Sequence, residues 1–152
     1  MKYACLVYHD PSKIAGLSEA EQLAAILAEC EAAGAWGAGL EKGGHHVFSA
    51  GLQSVRTAKT VRKGDGKLSV TDGPFAETKE FLGGFTIIEA RDLSEALHLV
   101  SKFASTLTTI EVRPLLDGNA ELTDPLDQKI VAALRQRPRP QQAHLPKAKG
   151  RP

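Results

Sequence analysis

The sequence predicts an α+β fold in which two β-α-β units form one antiparallel sheet with both helices on a single face, the ferredoxin-like arrangement. Three observations lead to it. Strand-like segments and helical segments alternate twice along the chain, each helical segment opens on a capping box, and an Asp-Gly hairpin separates the two units. A chain of 152 residues is long enough to bury the core of one such domain.

The first β-α-β unit begins with a strand over Lys2–His9, which is apolar on both faces. Ser18 and Glu21 stand at capping-box spacing and predict a helix start. Gly34 and the glycine-rich run to Gly44 predict its end. The apolar face of this helix is expected to consist of the residues that recur at helical spacing, Ala20, Leu23, Ala24, Leu27 and Cys30.

A β-hairpin insert follows. The hydrophobic period changes to two, which predicts strands over His45–Leu52, Arg56–Lys63 and Lys67–Thr71. Asp65-Gly66 predicts the hairpin turn, because these residues tolerate the positive φ that two-residue turns need.

The second unit repeats the first, with a strand over Gly84–Ala90, a helix from Asp92 and a strand over Thr109–Leu115. The expected apolar stripe of this helix is Leu93, Ala96, Leu97, Val100, Phe103 and Ala104. Both helices cover one face of the sheet, and the central strands are apolar on the other face as well. A homodimer in which two such faces pack together is therefore predicted.

Charge divides the chain into three parts: a domain over 1–116, an extension with a short helix over 117–136, and a tail over 137–152. The tail holds five Lys or Arg and no acid, and the rest holds 14 cations against 18 carboxylates. This basic, proline-rich tail is expected to be disordered. It either solubilises the protein or makes weak, salt-sensitive contacts with a polyanion.

Composition excludes several classes. The two cysteines form no CxxC pair, and no dinucleotide or phosphate-loop fingerprint occurs, so neither a metal nor another cofactor is expected. The longest apolar runs fall short of a bilayer span, which predicts no membrane segment. Two cysteines without a disulfide framework favour a reduced, cytoplasmic setting.

The densest candidate site is the stretch TDGPFAETKEFLGG at residues 71–84. Asp72 to Phe75 has the composition of a turn, with the Phe75 ring expected to tuck toward the core. Asp72, Glu77 and Lys79 are the candidate catalytic residues, with Glu80 beside them. The alternative is a turn cap and a salt-bridged structural loop.

Further candidates lie on the predicted strands. Arg113, with Glu111 on the same face, either binds an anionic substrate or pairs across the dimer interface, and Arg56 and Arg62 are candidates to join it. Phe75 is a further candidate for substrate binding. His45 is a candidate ligand contact or an edge residue. Since His45 and His46 are adjacent on a strand, they point to opposite faces and do not share a metal.

Five runs taken together resemble the YCII-related domain family of the DGPF type: MKYACLVY, TAKTVRKGDGKLSVTDGPFAETKE, LGGFTIIEA, DLSEAL and IEVRPL. They span residues 1–115. The resemblance implies a dimeric α+β barrel of ferredoxin-like subunits with a cleft near the DGPF loop. It also implies bacterial, cytoplasmic proteins of mostly unassigned activity, some linked to sigma factors of the extracytoplasmic-function type and others resembling lyases or isomerases.

The enzymatic relatives implied by this resemblance use a His on the first helix paired with an Asp. Residues 18–33 of this chain contain no His, so that pair is not carried over. Two hypotheses remain: a dimeric protein that binds a small, anionic molecule in an accessory or regulatory role, and a lyase- or isomerase-like enzyme acting on a small anionic substrate near the DGPF loop.

Overall fold

The computed structural model describes residues 1–105, 107–116, 122 and 124–136. The chain divides into two compact units, Met1–Leu115 and Leu116–Pro152. The expected disordered tail, 137–152, and the start of the expected extension, 117–121, lie outside the described residues.

The first unit contains six strands and two helices within its described residues, in the predicted order. They are β1 (Lys2–His9), α1 (Glu19–Lys42), β2 (His46–Gly51), β3 (Lys59–Gly64), β4 (Lys67–Asp72), β5 (Phe81–Glu89), α2 (Leu93–Ser101) and β6 (Thr108–Pro114). Four strands form an antiparallel sheet in the order β2-β5-β1-β6, and β3 and β4 form a separate two-stranded sheet. This arrangement confirms the predicted α+β, ferredoxin-like fold.

The core lies on one face of the four-stranded sheet. Tyr3, Cys5 and Ile88 are fully buried there, and side chains of both α1 and α2 belong to the same cluster. The helices therefore share one face of the sheet, as predicted. Trp36 of α1 ties the two helices together, because its indole Nε1 donates to the carbonyl of Leu99 at 2.9 Å.

Helix α1 is longer than predicted, and a different side of it faces the core. It continues past Gly34 to Lys42, and the Ser18 capping box is present at its start. The predicted apolar face is wrong, since Leu23 and Leu27 are 58% and 53% exposed. The buried and half-buried positions that face inward are instead Gln22, Ala25, Glu29, Ala33, Trp36, Gly37 and Leu40.

Length and composition alone make α1 a candidate membrane span. A core helix of a globular domain can have the same length and apolar composition. In this domain, α1 contributes Leu40 to the core, and Trp36 packs against it.

Two other elements depart from prediction in detail. Strand β5 begins at Phe81, three residues before Gly84, and a bulge interrupts its pairing with β1 next to Val7. In α2 the buried residues are Ala96, Leu99 and Val100. Leu97 is 50% exposed, so the inward stripe is rotated from the predicted one.

The hairpin turn has the predicted chemistry. Asp65 and Gly66 have φ values of 49° and 76°, the left-handed conformation that an Asp-Gly turn supplies. In the second unit, α3 (Pro125–Arg135) begins where Asp124 caps it by accepting from the amides of Leu126 and Asp127.

Candidate functional site

The face of the four-stranded sheet opposite α1 and α2 is apolar and half-buried. Paired positions place Leu6 beside Phe85, and Ala4 beside Ile87, on this face. On β2, Phe48 pairs with Ile87, is 53% exposed, and has its ring centroid 5.9 Å from that of Phe85. We call the surface formed by Ala4, Leu6, Tyr8, Phe48, Phe85 and Ile87 the open face.

A polar corner borders the open face on β6. Glu111 and Arg113 pair with Leu6 and Ala4 in the sheet register, so both side chains belong to this face. The Arg113 guanidinium forms an ion pair with Glu111, and the Tyr8 hydroxyl donates to Glu111 Oε2 at 3.5 Å. Tyr8 is the member of this corner that the sequence reasoning missed, although its alternation with Leu6 on β1 indicated its face.

A guanidinium, a carboxylate and a phenol meet at this corner. A guanidinium has five N–H donors in a planar fork, and one ion pair leaves most of them free. The phenol of Tyr8 adds a neutral donor. In the sheet register Leu6 separates Phe85 from Glu111, so an apolar strip lies beside the corner.

The DGPF turn is held against β3. Gly73 has a φ of 86°, which explains glycine at this position. Its amide donates to the Ala58 carbonyl at 2.9 Å, and the Thr60 hydroxyl donates to the Gly73 carbonyl at 2.8 Å. These bonds fix the backbone of the turn.

The predicted site residues in this turn have structural partners. Asp72 forms an ion pair with Lys59, and Arg62 donates to the Phe75 carbonyl at 2.8 Å. The Phe75 ring is 77% exposed, so the expectation that it tucks toward the core is wrong.

Glu77 and Lys79 lie in the irregular segment between β4 and β5, and both are exposed. Lys79 is close enough to Asp10 that its positive charge contributes to the lowered pKa of that carboxyl, after the larger effect of the hydrogen bonds from Ser12. Among the described residues, no hydrogen bond or ion pair joins Asp72, Glu77 or Lys79 to one another or to Arg113. Their catalytic role stays a prediction.

The two adjacent histidines bind different partners. His45 Nδ1 lies 2.9 Å from the carbonyl of Glu89, immediately before β2. His46 Nε2 lies 2.8 Å from Ser49 Oγ, and its Nδ1 is 3.8 Å from a Glu41 oxygen. The substrate-binding role of His45 is therefore untested, and its imidazole is used in a backbone contact.

In the described ranges, no cluster of three His, Cys, Asp or Glu side chains suited to a metal ion occurs.

A groove of about 410 Å³ runs between α1 and α2, and its lining is apolar apart from Lys102. Trp36 forms one wall and stacks on Phe103 at 5.1 Å between ring centroids.

Fold and site together define a small α+β domain with a half-buried apolar sheet face that is bordered by the ion pair of Arg113 and Glu111. The chain belongs to the YCII-related domain family, whose model matches residues 1–117. It is also similar to an uncharacterized protein of Rhizobium meliloti (strain 1021), with 35% identity over 124 residues that cover 76% of this chain and 92% of the relative.

Proposed function

We propose that this protein is a homodimeric small-molecule-binding protein with an accessory or regulatory role, and that its ligand is a small organic acid held at the open face. The observation that carries the proposal is the ion pair of Glu111 and Arg113 at the border of a half-buried apolar sheet face. The sigma-factor context that the DGPF-type resemblance implies is the regulatory setting we propose.

Dimerisation follows from the apolar surface. Monomeric proteins seldom expose a contiguous apolar patch of this kind, and a self-complementary patch closes a two-fold dimer. Phe48 and Phe85 are the largest purely hydrocarbon side chains on the open face, and both lie within the proposed contact. A second copy would also lower the dielectric around Arg113 and strengthen its attraction for an anion.

The ligand class follows from the donors. In the single chain the side chains of Arg113 and Glu111 are 66% and 40% exposed, so the guanidinium is within reach of a ligand. A carboxylate would take the unused donors of Arg113, while its apolar part lies against Phe85 and Leu6. Bidentate pairing of this kind distinguishes carboxylates from neutral molecules.

The contact of Tyr8 with Glu111 favours a second candidate function. A carboxylate that receives a phenol hydrogen bond beside a bound substrate is placed to remove or return a proton. That is the chemistry of the lyase- or isomerase-like alternative, and it would use Glu111 rather than the residues of the DGPF turn.

Light scattering coupled to gel filtration tests the dimer. We expect the mass of two chains for the wild type and a larger fraction of single chains for Phe48→Glu at the same protein concentration, because a charge in the apolar contact has no partner. Leu93→Glu is the matched control, since Leu93 is 47% exposed on α2 and does not belong to the open face. A monomeric wild type, or a Phe48→Glu variant that dimerises as tightly as the wild type, overturns the open-face dimer.

Thermal shift with a panel of aromatic and short aliphatic monocarboxylates tests the ligand. We expect at least one acid to raise the melting temperature of the wild type, and its amide analogue to have no effect. The shift should disappear in Arg113→Gln and persist in Arg91→Gln, whose arginine pairs with Asp92 outside the open face. An equal shift in both variants, or none in the wild type, contradicts the proposed site.

A further inference from the structure

The outward side of α1 carries an apolar stripe. Leu23, Ile26 and Leu27 are 58%, 50% and 53% exposed, and Cys30 continues the stripe one turn further on. At a rise of about 1.5 Å per residue this stripe is about 10 Å long. The sequence pattern predicted that this stripe packs on the core of its own domain. Because the stripe is exposed instead, that packing does not explain why these positions are apolar.

The β3–β4 hairpin has an apolar face of matching size. Val61 pairs with Val70, and Lys63 pairs with Leu68, so these four side chains share one face. Val61, Leu68 and Val70 are 60%, 69% and 58% exposed. An isolated two-stranded hairpin is marginally stable in water, so packing its apolar face against another element would stabilise it.

The two surfaces have opposite charge. Helix α1 contains five glutamates and one lysine, whereas residues 59–72 contain four Lys or Arg and two aspartates. On the hairpin, Lys63 stands on the apolar face beside Leu68. On α1, Glu19 and Glu31 border the stripe, and neither forms an ion pair within the described residues.

This charge also decides against a lipid partner for α1. Helices that lie on membranes carry Lys and Arg on their polar side, because the cytoplasmic leaflet is anionic. Helix α1 has the reverse charge, which suits a basic protein surface.

We propose that the apolar face of the β3–β4 hairpin of one copy packs on the α1 stripe of a second copy. Both surfaces are exposed in the single chain, so its own hairpin does not cover its own α1. Every copy carries both surfaces, and a two-fold axis lets each hairpin meet the other copy's helix. Glu19 and Glu31 lie at opposite ends of the stripe, about 18 Å apart along the helix, so the contact places Lys63 near one of the two. It does not depend on the open face being covered.

Native Cys30 gives a direct test, because it is exposed on the stripe while Cys5 is buried. In the full chain, Val70→Cys is treated with a short bis-maleimide and run on a denaturing gel. We expect a covalent species of two chains that is absent from the wild type and from Val70→Cys combined with Cys30→Ser. Ser69→Cys is the matched control, since Ser69 is on the opposite hairpin face, paired with Arg62.

Each other outcome overturns the contact. A link within a single chain would place the hairpin on its own helix, and equal linking from Ser69→Cys would show that the apolar face has no special role. No linking, with circular dichroism showing folded protein, excludes the contact. If Val70→Cys fails to fold, Leu68→Cys on the same face repeats the experiment.

Charge reversal gives a second readout. Lys63→Glu in the Val70→Cys background should reduce the yield of the two-chain species several-fold, and adding Glu31→Lys or Glu19→Lys should recover it. Linking should persist in Phe48→Glu, which separates this contact from the open-face dimer. If the yield of the two-chain species changes with none of these charge substitutions, the pairing of Lys63 with a glutamate of α1 is contradicted.

Discussion

The imidazole ring of His9 lies on the backbone of Gly83. A Cβ atom added to Gly83 would stand 2.1 Å from His9 Cδ2 and 2.5 Å from Nε2, closer than any real contact. A larger residue at Gly83, where β5 bulges beside the end of β1, therefore requires the His9 ring to move. The same His9 ring has its centroid 5.8 Å from that of Phe81.

Gly83→Ala should lower the free energy of unfolding by about 1–3 kcal/mol, because the His9 ring must leave its position. His9→Ala combined with Gly83→Ala should recover part of the loss, measured by urea unfolding as a double-mutant cycle. Gly84→Ala is the matched control. Its Cβ would meet the Ala50 carbonyl oxygen at 2.9 Å, so His9→Ala should not rescue it. Equal rescue of both would contradict the His9 contact.

Trp36→Phe should destabilise the domain by about 1–3 kcal/mol, because the Leu99 carbonyl loses its indole donor in a part-buried position. The ring stack on Phe103 is retained in this variant. Trp36→Leu loses the stack as well and should cost more. Urea unfolding followed by circular dichroism compares the two, and equal losses would mean that the stack contributes nothing.

Cys5 makes stability depend on pH in the alkaline range. Burial raises the pKa of its thiol from 9.0 to about 11. The thiol of the unfolded chain therefore ionises first, so stability is complete below pH 9.0 and falls as the pH approaches 11. The urea midpoint of the wild type should drop more between pH 8 and pH 10.5 than that of Cys5→Ala, and parallel curves would refute this origin.

Asp92 gives the opposite dependence at acid pH. The Glu95 amide, and then Arg91, hold the pKa of this carboxyl below its ordinary value of 3.8. Stability from this cap is present above that value and is lost as the pH falls through the lower, folded-state pKa. Asp92→Asn keeps an acceptor for the Glu95 amide but does not titrate, so its urea midpoint should fall less below pH 4.

Glu77→Gln is the control for the acid experiment, because it removes a carboxylate that caps no helix. We expect its pH profile to match that of the wild type. If Glu77→Gln flattened the profile as much as Asp92→Asn, general charge rather than the cap would be responsible.

Local signals predicted the elements of this chain well. Ser18 accepts from the amide of Glu21 as the capping box requires. Asp65-Gly66 forms the turn, and Asp92 starts α2. The partner of Glu95 is different: its carboxylate accepts from the amide of Arg91 rather than that of Asp92. Such features were predictable because each depends on residues only a few positions apart.

The orientation of α1 could not be predicted, because alanine, glycine and leucine occur around its whole circumference. Tertiary packing turns the side of Trp36 and Leu40 toward the core and leaves Leu23 and Leu27 exposed. The exposure of Phe75 has a different cause, because turn composition predicts the backbone of residues 72–75 and not the direction of the ring. A helix with two apolar sides carries two valid periodic patterns, and only packing selects between them.

By itself the sequence determined the order of strands and helices, the turns, the caps and the family of the protein, since all of these are written in short runs of residues. Only the tertiary structure decided that Tyr8, Glu111 and Arg113 meet at one corner, and that Asp72 and Arg62 are bound to neighbours of their own hairpin. Strand register brings together residues about a hundred positions apart, and no local pattern records that pairing.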